Sequence, residues 1–212
     1  MVKSPKEFNV KICNNEIKEF VKKNHYSHSV IGVSSVYNFK LTYNNKIVGA
    51  MIYGYISAPN AYKKYVDKKE DMLELRRLCC IDDTPKNTES YFISKTLKWL
   101  ILNTNVKKII SYADPEYGHN GLIYQASNFE HIGMTNTSKI VLFNNKKYHL
   151  RCLTKNDNGE FPQFKQNIIN GIKTGETTFK KTKPKYIYLY DLEKRRNKKR
   201  FRNLIKEGFE KW

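Results

Sequence analysis

The residues of this chain with the most chemical potential lie in one short stretch. Tyr112-Ala113-Asp114-Pro115 is followed by Gly118-His119, Gly121 and Tyr124-Gln125. Pro115 biases Asp114 toward an extended backbone, which would aim its carboxylate out of a strand end as a proton acceptor or as the orienter of one. An Asx turn holding the Asp-Pro corner is the competing structural use of the same residue. His119, flanked by Gly118 and Gly121, has a backbone able to approach a ligand closely and an imidazole that titrates near neutral pH; a surface or capping histidine is its plain alternative. His25-Tyr26 could supply a proton acceptor and a stacking face, or a metal ligand. His25, Asp114 and His119 together have the composition of a two-histidine, one-carboxylate iron site. Arg76 and Arg77 are neighbours on an expected strand, so alternation sends them to opposite faces, one toward phosphate.

Helices and strands must hold these groups. Ile17, Phe20 and Val21 have helical spacing just before His25. Val36–Tyr43 and Ile47–Ile56, joined at Asn44-Asn45-Lys46, read as a β-hairpin. The apolar alternation of Leu73–Ile81 reads as a strand, and residues 82–90 are rich in turn and N-cap types. Tyr91-Phe92, Leu97, Trp99-Leu100 and Leu102 then give a broad helical apolar face. Lys107–Tyr112 is a strand, Gly121–Asn128 a short helix, and Glu130–Thr135, Lys139–Phe143 and Tyr148–Leu153 are strands. Strands and helices alternating in one mixed sheet make an α/β (α+β) fold. We read residues 1–155 as a catalytic domain and 156–212 as a basic C-terminal extension packed on it.

The 212 residues carry 39 Lys+Arg against 20 Asp+Glu, a formal +19, with 15 Tyr and 11 Phe. That aromatic content excludes a disordered polycation. No segment reaches the ~20 apolar residues of a bilayer span, and the first six residues lack a signal-peptide core, so the expectation is a soluble protein of the bacterial cytoplasm with no membrane partner. Cys13, Cys79, Cys80 and Cys152 form neither a disulfide framework nor a Cys-x-x-Cys zinc pattern. Residues 171–212 hold 14 Lys+Arg against 5 Asp+Glu, which points to a polyphosphate partner, nucleic acid first. Within this tail, Tyr186, Tyr188 and Tyr190 alternate as on one strand face. They are followed by Lys194, Arg195, Arg196, Lys198, Lys199, Arg200 and Arg202 on a basic helix suited to DNA phosphates.

The element order resembles that of the GNAT-type N-acetyltransferases, a mixed central sheet flanked by helices. "NNKIVGAMIYGYI" is similar to their third strand and "GLIYQASNFEHIG" to the helix and turn closing the cofactor side. The resemblance implies that Tyr124 protonates a leaving group, although its ring would serve equally as core. It also implies an acyl-coenzyme A whose pyrophosphate meets the helix start near Asn87, Thr88 and Ser90, with Gln125 and Asn128 on the cofactor side. The usual glycine loop is missing, since no glycine lies between Gly54 and Gly118.

Four blocks resemble, more specifically, the Mom family of phage DNA-modification proteins: "NHYSHSVIGVS" (24–34), "ELRRLCCIDDTPKNTESYFISKTLKWL" (74–100), "ISYADPEYGHNGLIYQASNFEHIG" (110–133) and "KPKYIYLYDLEKRRNKKRFRNLI" (183–205). Membership would imply transfer of a small acyl or carbamoylmethyl-type group to the exocyclic amine of adenine in double-stranded DNA, protecting it from restriction. Asp114, His25, Tyr26, His119 and Tyr124 would then be catalytic, and Arg76, Arg77, Arg195, Arg196, Lys198, Lys199 and Arg200 would hold nucleic acid. That amine is a poor nucleophile within a duplex. The chemistry therefore calls for a proton acceptor, donors for developing charge, stacking aromatics and a basic surface. Acyl-coenzyme A, a glycine-derived group and an aminoacyl-tRNA are the candidate donors. The rival reading is an acyl-coenzyme A-dependent N-acyltransferase acting on a protein, tRNA or small amine.

Overall fold

A computed structural model describes residues 2–58, 60–156 and 159–198. Among the described residues, ten strands and four helices of five to sixteen residues are followed by a helix that begins at 192. They form two compact units. Of the described residues, the first comprises those within 2–113, 120–133 and 186–198, the second those within 114–119 and 134–185.

The first unit is built on a seven-stranded sheet: β1 (Asn9–Cys13), β2 (Tyr37–Tyr43), β3 (Lys46–Gly54), β4 (Met72–Cys80), β5 (Lys108–Ala113), β6 (Glu130–Met134) and β10 (Tyr186–Asp191), in the order β1-β2-β3-β4-β5-β10-β6. The first four strands are an antiparallel meander, β5 is parallel to β4, and β10 is antiparallel to β5. The hairpin turn at Asn44-Asn45 has both residues at positive φ, 45° and 61°, which asparagine tolerates. α1 (Lys18–Asn24) buries Val21 with Ile17 beside Ala50, Ile52 and Cys79. α2 (Thr88–Asn103) lies on the main core, where Phe92, Ile93, Leu97 and Leu100 meet Leu73, Leu75, Tyr53 and Ile109. α3 (Leu122–Ala126) contributes Tyr124 to that core.

The expected tyrosine face is present. Tyr188 and Tyr190 are buried in the core and Tyr186 packs against it. Their strand is an interior member of the main sheet, and 186–198 belongs with the first unit. The second unit has a small sheet ordered β8-β7-β9, with β7 (Lys139–Phe143), β8 (Lys146–His149) and β9 (Thr178–Lys181), together with α4 (Gln163–Thr174). Val141, Cys152 and Ile168 are its core. Tyr148–Leu153, read as a strand, ends its extended part at His149, and Leu150–Leu153 is a 3-10 turn. The four cysteines are free thiols, and burial raises Cys13 to about 11 and Cys79 to about 12. Among the described residues no helix is long and apolar enough to cross a membrane.

Candidate active site

β4 and β5 run side by side for only three residues, Met72–Glu74 against Lys108–Ile110. Beyond that point β4 stays with β3 while β5 stays with β10, so the two strands part. The parting coincides with a β-bulge: Tyr53 pairs with Leu75 and Ile52 with Arg77, leaving Arg76 as the extra residue. Bulges bend a strand and re-aim its side chains, and they recur beside active sites. This one reverses the alternation. Leu73 and Leu75 face the main core before it and Leu78 and Cys80 after it, so Arg76 and Arg77 are not sent to opposite faces as a regular strand would send them.

Several polar groups collect where the strands part. Tyr124 is buried, with its ring 5.3 Å from that of Tyr188, and Ser111 of β5 donates its hydroxyl to Leu75 O at 3.3 Å. Burial pushes its phenol up to about 12, so it remains a proton-bearing donor at neutral pH. Glu74, at the last paired position, has a side chain only 14% exposed. Its Oε2 accepts from the backbone N–H and hydroxyl of Ser57 at 3.2 and 3.3 Å, and among the described residues its Oε1 has no hydrogen bond. The charge of Glu74 is felt by both Tyr112 and Tyr124. Tyr26, 40% exposed, lies 4.2 Å from the His25 ring and near enough to influence Tyr124 and Arg77 electrostatically. Glu74 was missed in the sequence, although a carboxylate inside the apolar strand MLELRRLCC was the available signal.

The histidines and Asp114 are used otherwise than expected. His25 is buried, and its Nδ1 accepts from the Ser27 N–H at 3.1 Å. Asp114, following β5, caps the turn Pro115–Tyr117: Oδ1 accepts from the Glu116 N–H at 3.0 Å and Oδ2 pairs with Lys185 at 2.8 Å. Both oxygens of the expected base are thus engaged in a turn and an ion pair. The His119 backbone N–H donates to the Asp114 carbonyl, and its side chain is exposed. Among the described residues no three His, Cys, Asp or Glu side chains gather as a metal set, so His25, Asp114 and His119 do not form the iron site their composition suggested. Of the two flanking glycines, only Gly121 is closed to a ligand. A Cβ on Gly121 would fall 2.2 Å from the Tyr188 ring, while one on Gly118 would meet nothing within 4 Å.

Arg76 and Arg77 were expected at phosphate. Arg76, 10% exposed, donates from Nη1 to the Tyr55 carbonyl at 2.9 Å and lies 3.7 Å from Glu74. Arg77 donates from Nε to Ser29 O and from Nη1 to Arg76 O. Burial lowers its pKa without making it neutral in any ordinary solution. Both cations are therefore internal parts of the cleft. Gln125 donates to the Tyr188 hydroxyl at 3.0 Å, and Asn128 is exposed just after α3 at φ +63°.

The start of α2 does not fit a coenzyme A pyrophosphate. Asn87 sits at φ +70° and makes no side-chain cap. The Thr88 hydroxyl donates to Pro85 O and the Ser90 hydroxyl to Asn87 O, so neither is directed outward. In sequence this helix start is bordered by Asp82, Asp83, Lys86 and Glu89.

The basic tail divides in two. Arg196 donates to the carbonyls of Ile101, Thr104 and Val106 at 3.3, 2.8 and 3.3 Å, closing the C-terminus of α2 instead of facing nucleic acid. Arg195 lies over the Tyr190 ring at 5.8 Å, and Lys198 is exposed. Lys199, Arg200 and Arg202 lie outside the described residues.

Solved acetyltransferases share this architecture. A spermidine/spermine N-acetyltransferase from Vibrio cholerae matches with a TM-score of 0.52 over 92% of this chain and 98% of its own, at 10% identity. A ribosomal-protein-S5-alanine acetyltransferase from Vibrio fischeri matches with a TM-score of 0.50 over 88% and 94%, also at 10% identity. At that identity the likeness shows the fold alone. Among curated proteins, the methylcarbamoylase Mom of Escherichia phage Mu is 33% identical over 119 residues, which make up 55% of this chain and 49% of that protein. The aligned part thus spans about half the length of that relative. The profile of the Mom protein family matches residues 7–207, nearly the whole sequence, and the chain accordingly belongs to that family.

Proposed function

We propose that this chain is a DNA-modifying transferase of a phage or prophage. It places a small acyl or carbamoylmethyl-type group on the exocyclic amine of adenine, a change that shields the DNA from restriction in the host cytoplasm. Family membership and the activity named for the phage Mu relative support the reaction class. The observation that carries the assignment is the grouping of Glu74, Tyr124, Tyr26 and Arg77 where β4 and β5 part.

Each side chain has one task in this reading. Tyr26 offers an exposed ring on which an extruded base stacks, with about 1–3 kcal/mol available per stacked base to offset unpairing. The Oε1 of Glu74 accepts the proton that the amine loses when its new bond forms. The Tyr124 phenol donates to charge developing on the electrophile or its leaving group. Arg77 holds positive charge beside that centre, fixed by the Ser29 carbonyl. The missing glycine loop and the inward-bonded Thr88 and Ser90 hydroxyls favour a donor whose anchor is not a pyrophosphate at that place. Asp114 and His119 act as positioning residues of the loop between β5 and α3.

Expression in a host without other DNA modification, followed by mass spectrometry of the nucleosides, tests the proposal. A new 2′-deoxyadenosine derivative is expected, and its mass identifies the group transferred. An unchanged nucleoside profile from folded, DNA-bound protein would refute it.

A further inference from the structure

A second concavity lies on the first unit, where β10 passes into the helix that begins at 192. It measures about 250 Å³ and is lined by Asn128, Glu130, Tyr190, Lys194, Arg195 and Lys198, among others. At ~30 Å³ per water it holds roughly eight waters. That is room for a phosphate with its sugar, and too little for a base pair.

The charges around it are unevenly matched. Asp191 also borders the cleft, but its Oδ2 pairs with Lys108 at 2.8 Å and its Oδ1 accepts from the Lys194 N–H at 2.7 Å, so its charge is already balanced and its role is to start the helix. Leu192, fully buried, anchors that start. Lys194 and Lys198 are four apart and stand on one flank of the helix, their Cβ atoms about 5–6 Å apart. Arg195 is held over the Tyr190 ring, whereas the adjacent Arg196 turns inward to α2. Three cations thus face the cleft against one unbalanced carboxylate, Glu130.

We propose that this cleft binds the phosphodiester backbone of the DNA substrate, with Lys194 and Lys198 as phosphate contacts and Arg195 as a cation fixed by its aromatic support. The inference rests on the DNA reading above and adds a location for the backbone grip. Each phosphate contact contributes about 0.9 to the slope of log affinity against log salt. The measurement is duplex-DNA binding across a salt series for the wild-type chain, for Lys194→Ala/Lys198→Ala, and for Lys11→Ala/Lys46→Ala. The last pair removes the same charge from exposed positions on β1 and β3, toward the other edge of the sheet.

The cleft pair should flatten the slope by about two, and the control pair should leave it unchanged with both variants melting like the wild type. Equal effects of the two pairs would reduce the cleft to bulk charge and overturn the proposal, as would an unaltered slope for the cleft pair. Nucleoside mass spectrometry on the wild type separates this idea from the one it rests on. A flattened slope with unmodified adenine retains the cleft and removes the transferase reading; modified adenine with no slope change does the reverse.

Discussion

Replacing Gly121 with alanine tests how the loop before α3 is locked. Gly121 has φ +80°, and a Cβ there would approach two ring atoms and the hydroxyl oxygen of Tyr188 at 2.2 to 2.4 Å. The left-handed backbone alone costs a residue with a Cβ about 1–2 kcal/mol. Tyr188 is 1% exposed and held at its hydroxyl by Asn120 O at 2.9 Å and Gln125 Nε2 at 3.0 Å, so its ring has no open direction in which to retreat. Overpacking of this kind costs a further ~1–3 kcal/mol, giving about 2–5 kcal/mol in all, a large part of the ~5–15 kcal/mol typical of a domain. At roughly 2–4 °C per kcal/mol for a chain of this size, the melting temperature should fall by about 5–20 °C. Gly118→Ala is the internal comparison, because Gly118 has φ +75° but nothing within 4 Å of the added atom. It should lose only the backbone share. Thermal unfolding of the two variants side by side decides the matter, and equal losses would refute the packing argument while leaving the backbone one.

Other outcomes follow from the same geometry. Arg196→Ala should lower stability by about 1–3 kcal/mol, through three deserted carbonyls at the end of α2, and leave the salt slope of DNA binding unmoved; denaturant titration and the binding series read the two effects separately. Glu74→Gln should reduce the modification rate about 10²–10⁴-fold, with DNA affinity and melting temperature retained, as nucleoside quantification would show. Tyr124→Phe should cost about 10²–10³-fold in rate by the same assay. For pH, the folded Tyr124 phenol titrates at about 12 against 10 for an ordinary tyrosine. The folded state therefore keeps a proton that the unfolded chain has lost between these values. Its contribution, about 3 kcal/mol, is complete below pH 10 and disappears as pH rises toward 12. Denaturant midpoints measured from pH 9 upward should decline for the wild type and decline less for Tyr124→Phe.

The sequence carried local information well. The tyrosine alternation at 186–190 announced a strand with one buried face, and the apolar spacing of 91–102 announced α2, because side-chain period reports burial directly. β1 was not legible: NVKIC is short and its residues are mostly exposed at the sheet edge, so it lacks a period. α4 and β9 were also overlooked, the former because Asn and Gly interrupt a modest apolar stripe in QFKQNIINGIKT. The bulge at Arg76 could not be read at all. Its existence depends on the pairing of β3 with β4, a partner choice that no residue in β4 encodes alone. The same holds for the candidate site. Residue types nominated Tyr124 and Tyr26, whereas only the folded hydrogen bonds show Asp114, His25 and Arg196 engaged elsewhere and Glu74 with an oxygen to offer.

The placement of β10 between β5 and β6 has a consequence for the birth of the protein. Those two strands leave the ribosome early, yet the element that joins them is made more than fifty residues after β6 ends. At ~5–20 residues per second, the growing polypeptide waits on the order of seconds with the edges of β5 and β6 bare. Exposed edges of that kind recruit strands from other molecules. Yield in a cell should therefore depend on translation speed through residues 135–185, and slowing codons there should increase aggregation without altering a single amino acid.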